Sequence, residues 1–106
     1  MAVAQSRVVN KTNAEKAIDK VIRKLGRDVV RVRYNLGEDW TGDPVIFFRI
    51  VLTDAAARDD KRREVTGRIM DQVFDELQPQ GNWGLHPYFR FRSKTEAARI
   101  NDPDWE

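Results

Sequence analysis

Five arginines and several aromatic rings occur at alternate positions in three stretches of this sequence. Residues 29–36, 45–53 and 85–93 alternate with a period of two, which is typical of β-strands. If the three stretches form one sheet, these side chains point to the same side of it. That side would carry Arg31, Arg33, Arg49, Arg90 and Arg92, with Phe47, Tyr88 and His86 among them.

This arginine and aromatic surface admits three interpretations. Guanidinium groups bind phosphates and aromatic rings stack on bases, which is typical of proteins that bind RNA or single-stranded DNA. Arginine stems also cover an ordinary solvent-exposed sheet, and arginine is common at protein interfaces. Val45, Phe47 and Val51 would lie in water on the same side, which favours a protein partner or a second copy of the chain. We therefore predict a protein-binding or self-associating module, such as a homodimer, with nucleic-acid binding as the alternative.

The segment 37–44 combines acids, glycines, a proline and Trp40. Asp, Gly and Pro are the usual residues of turns, so we interpret the segment mainly as a turn that presents Trp40 as a binding residue. Asp39 and Asp43 are also possible ligands of a hard cation. With His86 they give a second alternative, a carboxylate-metal-dependent enzyme.

Trp83 lies in a predicted loop, where it could pack beside Trp40 or Tyr88 and join the binding surface. His86 is the chain's only histidine. One histidine with no partnered nucleophile or metal set is more often structural than catalytic.

Composition narrows the classes of function further. The 106 residues include no cysteine and have a net charge of +2, so a disulfide framework and a thiolate metal site are excluded. No glycine-rich phosphate loop and no pair of histidines at metal-ligand spacing is present. We expect no enzymatic activity, no cofactor and no metal.

The elements that must position the arginines follow from hydrophobic periodicity. A capping box at Thr12 and Glu15 predicts a first helix that ends near Gly26, and the apolar stripe from Val65 to Leu77 predicts a second. A second capping box, Ser93 with Glu96, predicts a short helix after the third strand. The predicted fold is α+β, a two-layer sandwich of order α-β-β-α-β-(short α), with a three-stranded sheet and both long helices on one face.

We predict a single domain over residues 1–106, with residues 1–11 and 102–106 as candidate flexible ends. The tail is either frayed or held down by Trp105, and its acids could fold back on the arginines. The sequence shows no apolar run typical of a secretory signal or membrane span, so we expect a cytoplasmic protein without membrane contact. The order of elements resembles the type II KH-like arrangement of bacterial ribosome-associated domains. This resemblance lies in topology alone.

Overall fold

The computed structural model describes residues 2–105, and their side chains from residue 12 onward. Four α-helices, three strands and one 3-10 helix follow one another along this part of the chain. In order they are α1 (Ala2–Ile22), β1 (Val29–Glu38), β2 (Pro44–Leu52), α2 (Asp59–Leu77), α3 (Pro79–Trp83), β3 (His86–Ser93), α4 (Lys94–Ile100) and the 3-10 helix (Pro103–Trp105).

The three strands form one open sheet with β2 at its centre. β1 pairs antiparallel with β2, and β3 pairs parallel with β2 on the other side, so the sheet is mixed. β2 suits the central place because its side chains are apolar on both faces apart from Arg49. The parallel return to β3 is possible because α2 and α3 carry the chain back across the sheet.

The core lies between one face of the sheet and the two long helices. Ile18 of α1 and Ile69 of α2 are almost fully buried, and they belong to one apolar cluster with Phe48 and Ile50 of β2. The predicted α+β sandwich with both long helices on one face is therefore confirmed. None of the described helices has an apolar stretch long enough to cross a lipid bilayer.

The first helix begins earlier than the sequence indicated. α1 starts at Ala2, so the predicted cap at Thr12 lies inside the helix. The apolar stripe that begins at Ala14 marks where α1 meets the core. The capping-box pattern of Thr12 and Glu15 therefore does not mark the start of the helix. The end of α1 agrees better with the predicted end near Gly26. Gly26 follows the last helical turn and has a positive φ of 89°.

A β-bulge changes the beginning of β1. Val29 pairs with Leu52 and Arg31 with Val51, so Val30 is an extra residue without a partner on β2. Strict alternation along residues 29–36 predicts that Val30 shares the helix-facing side with Val32, but Val30 is 42% exposed. Val29 packs against the core in its place, while Arg31 stays on the opposite face.

The predicted loop before β3 contains the one-turn helix α3. Gln78 has a left-handed φ of 44° that separates α3 from α2, and Pro79 fixes the first turn. Gly84 ends the helix with a φ of 65°. Gly81 and Gly84 have the GxxG spacing of the KH backbone clamp, but they lie within and at the end of α3, not in a loop between two helices.

Gly67 in the middle of α2 is not explained by close packing. A glycine inside a helix is often explained by close approach to a neighbouring element, here the sheet, yet a Cβ built at Gly67 meets no atom within 4 Å. Glycine in a helix interior costs about 1 kcal/mol relative to alanine. No contact within the described part of the chain offsets this cost.

We therefore expect Gly67→Ala to raise the free energy of unfolding by about 1 kcal/mol, measured by urea denaturation. The matched control is Gly26→Ala, which places a Cβ at a φ of 89° and should lower stability by a similar amount. A loss of stability in Gly67→Ala would contradict the open space seen around the residue.

Candidate binding face of the sheet

The side of the sheet turned away from α1 and α2, here called the open face, presents four rows of side chains. Residues paired across neighbouring strands point to the same side, so each row takes one residue from each strand. From one end to the other, these are the covered row (Arg31, Val51, Arg92), the arginine row (Arg33, Arg49, Arg90), the aromatic row (Asn35, Phe47, Tyr88) and the rim row (Gly37, Val45, His86).

The register thus brings all five predicted arginines onto one side of the sheet, together with Phe47, Tyr88 and His86. This follows from two properties of the chain. Side chains alternate strictly along each strand after the bulge, and the pairing of β1 and β3 with β2 keeps the arginine positions in phase.

The covered row is closed by the residues that follow β3. The ring of Trp105 is 3% exposed, and it forms a small apolar cluster with Val51 and Ala97. Its carbonyl oxygen accepts a hydrogen bond of 2.9 Å from Nε of Arg31. The guanidinium carbon of Arg92 lies 4.2 Å from the ring centroid, within the range of a cation–π contact. Of the two alternatives for the tail, Trp105 held against the sheet is the one observed.

Arg92 is poorly satisfied in this position. Its Nη1 is buried and has no hydrogen-bond partner among the described residues. The nearest carboxylate oxygen, Oδ2 of Asp102, lies 4.0 Å away, which allows attraction but no hydrogen bond. Burying such a donor without a partner costs about 1–3 kcal/mol.

The arginine row carries three cations with no counter-charge in the part of the chain that the structure describes. No described carboxylate lies within 4.0 Å of Arg33, Arg49 or Arg90. Arg49 is half-buried at the centre and donates a 2.7 Å hydrogen bond to Oδ1 of Asn35, which orients its guanidinium group. Like charges directly opposite one another destabilise a sheet. This row is therefore a local cost to the fold that an anionic ligand would remove.

The aromatic row lies beside the arginines. Phe47 and Tyr88 stack with their centroids 5.8 Å apart and 20° between their planes. His86 meets the edge of Tyr88 at 5.0 Å. Tyr88 is 41% exposed, so one side chain of this row is available for further stacking.

The apolar residues that favoured self-association are not in water. Val45 is fully buried and Val51 is 1% exposed, the latter beneath Trp105. Phe47 is half-buried and stacked on Tyr88. The sheet therefore offers little free apolar surface to a second copy of the chain, because Trp105 covers Val51 and Phe47 stacks on Tyr88.

The acidic loop between β1 and β2 is a turn built by Asp39. Its Oδ1 accepts hydrogen bonds from the Thr41 hydroxyl at 2.5 Å, from the Thr41 amide at 2.9 Å and from the Asp43 amide at 3.1 Å. The Thr41 hydroxyl, assisted by the two amides, lowers the pKa of Asp39 below its ordinary value. Trp40 stands out from this turn, 94% exposed.

Two sequence candidates have other surroundings than expected. Trp83 lies in α3 and packs against the core cluster, so it does not join the open face. His86 does lie at the rim, where its Nδ1 is 2.8 Å from Nε2 of Gln80. Asp39 and Asp43 line a cleft with His86, but no group of three or more carboxylates or histidines converges to hold a metal ion within the described residues.

α4 is anchored at its start by two carboxylates. The predicted capping box is confirmed: Ser93 and Glu96 exchange hydrogen bonds of 3.0 and 3.2 Å, and Glu96 also accepts one from Arg62. Asp54 accepts hydrogen bonds from the backbone and hydroxyl of Thr95. Hydrogen bonding from Thr95 lowers the pKa of Asp54, and hydrogen bonding from the Ser93 backbone, followed by Arg62, lowers that of Glu96.

Comparison with known protein families, with characterised proteins and with solved structures gave no match, so function is argued from this geometry.

The unneutralised arginine row predicts an unusual response to a charge-removing substitution. Arg33→Gln should leave stability unchanged or raise it by a few tenths of a kcal/mol at low salt, because it relieves repulsion from Arg49. Arg68→Gln is the matched control, since Arg68 is paired with Asp28 and the same change should destabilise slightly. Thermal melts at low and high salt should show the difference between the variants shrinking as salt screens both effects. Equal losses in both variants would contradict an unpaired Arg33.

The lowered pKa values of Asp54 and Glu96 predict weaker anchoring of α4 in acid. A carboxylate whose pKa falls on folding contributes stability above its ordinary pKa, and this contribution is lost as the pH falls through the folded value. We expect the melting temperature of the wild type to fall between about pH 5 and about pH 3. The double variant Asp54→Asn, Glu96→Gln should be less stable at neutral pH and lose less in acid, measured by circular dichroism. Parallel acid losses in the two proteins would contradict this role.

Proposed function

We propose that the open face binds single-stranded nucleic acid, with the arginine row on the phosphates and Tyr88 as a stacking platform. The protein is then a non-enzymatic binding module. The observation that carries this proposal is the row of three arginines with no carboxylate partner among the described residues. A cytoplasmic location fits the same proposal, because nucleic acid is abundant there and the chain has no cysteine to form disulfides.

The row has the dimensions of a short stretch of phosphate backbone. Neighbouring strands are about 4.8 Å apart, so three arginines across three strands span roughly 10 Å. Each guanidinium offers several donors in a planar fork that matches phosphate oxygens. The hydrogen bond from Arg49 to Asn35 holds the central group in place before a ligand arrives. A preorganised cation loses less side-chain freedom on binding.

Tyr88 supplies the second feature that such a ligand needs. It follows Arg90 by one row on the same side of β3, so a base can stack on Tyr88 while its phosphate meets the arginine. Base stacking on an aromatic side chain contributes about 1–3 kcal/mol per base. Only an unpaired base has a free face to offer, which favours a single strand over a duplex.

The charge on the open face also orients the ligand. Asp39 and Asp43 lie at the cleft beside His86, at the end of the sheet opposite the covered row. These carboxylates repel phosphates, whereas the arginine row attracts them. The backbone of a bound strand should therefore follow the arginine row, with its bases directed toward Tyr88.

A protein partner remains the second candidate, and one contact favours it. The chain's own Trp105, flanked by acids, stacks on Arg92 and accepts a hydrogen bond from Arg31. This contact within the chain supports a peptide of the same kind as a ligand of the open face. A partner with a similar acid-flanked aromatic segment could bind the uncovered arginine row through the same contacts.

The test measures binding of fluorescently labelled single-stranded RNA and DNA oligonucleotides over a range of salt concentrations. If three phosphates are neutralised, the slope of log affinity against log salt should be about −2. Arg49→Gln should weaken binding about tenfold, the equivalent of about 1.4 kcal/mol, and reduce the slope by about 0.7.

Arg63→Gln is the matched control, because Arg63 is an exposed arginine on α2, in the helical layer on the other side of the sheet. It should change affinity less than Arg49→Gln does. Absence of salt-sensitive binding to any oligonucleotide contradicts the proposal. Binding of an acid-flanked tryptophan peptide in the same assay, without oligonucleotide binding, supports the protein partner in its place.

A further inference from the structure

Two of the five arginines on the open face contact the chain's own tail. Arg92 is covered by the ring of Trp105. Arg31 is exposed, but its Nε donates a hydrogen bond to the Trp105 carbonyl. We propose that Arg31 and Arg92 form a second anion subsite, continuous with the arginine row, and that residues 102–105 are a displaceable cover over it. The inference rests on the proposed function, because it concerns the extent and regulation of the same binding face. It gives the open face a closed state, in which the tail contacts Arg31 and Arg92, and an open state, in which all five arginines can meet an anion without competition from the tail.

Arg31 and Arg92 lie directly beside the arginine row. Arg31 and Arg33 lie two residues apart on β1, and Arg90 and Arg92 lie two residues apart on β3. Same-face neighbours along a strand are about 7 Å apart. Removing the cover would therefore enlarge one cationic surface, with no second surface formed elsewhere.

The cover makes the contacts that a nucleotide would make. The carbonyl oxygen of Trp105 accepts a hydrogen bond from Arg31, as a phosphate oxygen would. The indole ring lies on the guanidinium group of Arg92, as a base would. Asp102 brings a negative charge to within 4.0 Å of Arg92. The cover and a nucleic-acid ligand thus compete for the same donors.

The tail leaves one donor atom of Arg92 without the hydrogen bond that a phosphate would give it. Nη1 of Arg92 is buried, has no acceptor among the described residues and lies too far from Asp102 for a hydrogen bond. A phosphate oxygen in the place of the cover would satisfy it. An anion that reaches Arg92 once the cover is open therefore gains a hydrogen bond that the closed state lacks among the described residues. Burial of the Trp105 ring keeps the closed state dominant in the wild type.

The part that moves is defined by how each segment is held. α4 is fixed by Asp54 and Glu96, which hydrogen-bond at its first turn. After it, Asn101 has a left-handed φ of 54° and the direction of the chain changes. The 3-10 helix that follows is three residues long, and Oδ1 of Asp102 accepts a hydrogen bond from the amide of Asp104 at 3.0 Å. The cover can therefore leave while α4 stays.

Two substitutions in the full chain open the cover, and a third serves as a charge-matched control. Trp105→Ala removes the ring, and Asp102→Ala removes both the cap of the 3-10 helix and the charge beside Arg92. Asp104→Ala also removes one negative charge, but no described contact of its side chain holds the cover. Circular dichroism confirms that each variant is folded at the temperature of the binding assay.

The readout is the salt dependence of oligonucleotide binding. The wild type should show a slope of about −2, and Trp105→Ala a slope of about −3.5, because two more phosphates are neutralised. Asp102→Ala should change the slope in the same direction, and Asp104→Ala should leave it near −2. Adding Arg92→Gln to Trp105→Ala or to Asp102→Ala should bring the slope part of the way back toward −2, because one of the two added phosphate contacts is lost.

The outcomes separate this inference from the proposed function. If the wild type binds but Trp105→Ala and Asp102→Ala have the same slope as the wild type, the proposal of a second anion subsite is wrong and the proposed function stands. An equal effect of Asp104→Ala, or an unchanged slope when Arg92→Gln is added to Trp105→Ala, also overturns the inference. If no variant binds any oligonucleotide, both proposals are wrong. Should Trp105→Ala fail to fold, Asp102→Ala with and without Arg92→Gln still decides the question.

Discussion

Strand β2 has hydrogen-bonded neighbours along both edges and buried side chains on both faces. Ile46, Phe48 and Ile50 face the helices, while Val45 and Val51 face the other way and are equally buried. The rest of the structure depends on this strand, because its pairing register sets the phase of β1 and β3. Once the alternate positions of β2 are assigned to the core, every arginine of the three strands must lie on the opposite side.

A surface built in this way has two parts with opposite energetics. At one end the chain covers Arg92 with Trp105, which buries apolar area but leaves one guanidinium nitrogen with no acceptor among residues 2–105. In the middle, Arg33, Arg49 and Arg90 face water and repel one another. Both parts hold cationic charge without full compensation. Such local conflicts are expected where a surface is shaped for a ligand and not for stability alone.

Much of the fold could be predicted from periodicity. The three strands, the stripe of α2 and the capping box at Ser93 are local patterns, and the structure confirms them. The errors have a common physical cause, which is that they depend on contacts distant in sequence. Thr12 looked like a helix start because the apolar stripe begins beside it, and the bulge at Val30 is visible only in the pairing of β1 with β2. Trp83 joins the core because α3 turns it there.

By itself, the sequence determined that the arginines share one side of a sheet, because side-chain alternation is a local property of extended backbone. Only the tertiary structure decided which of them remain available. The position of Trp105 over Arg92 and Val51 joins residues far apart in the chain, and no periodic pattern encodes such a contact. The same contact buries Val51, one of the apolar residues that a second copy of the chain would have used. It leaves the arginine row uncovered, which favours an anionic ligand over a protein interface.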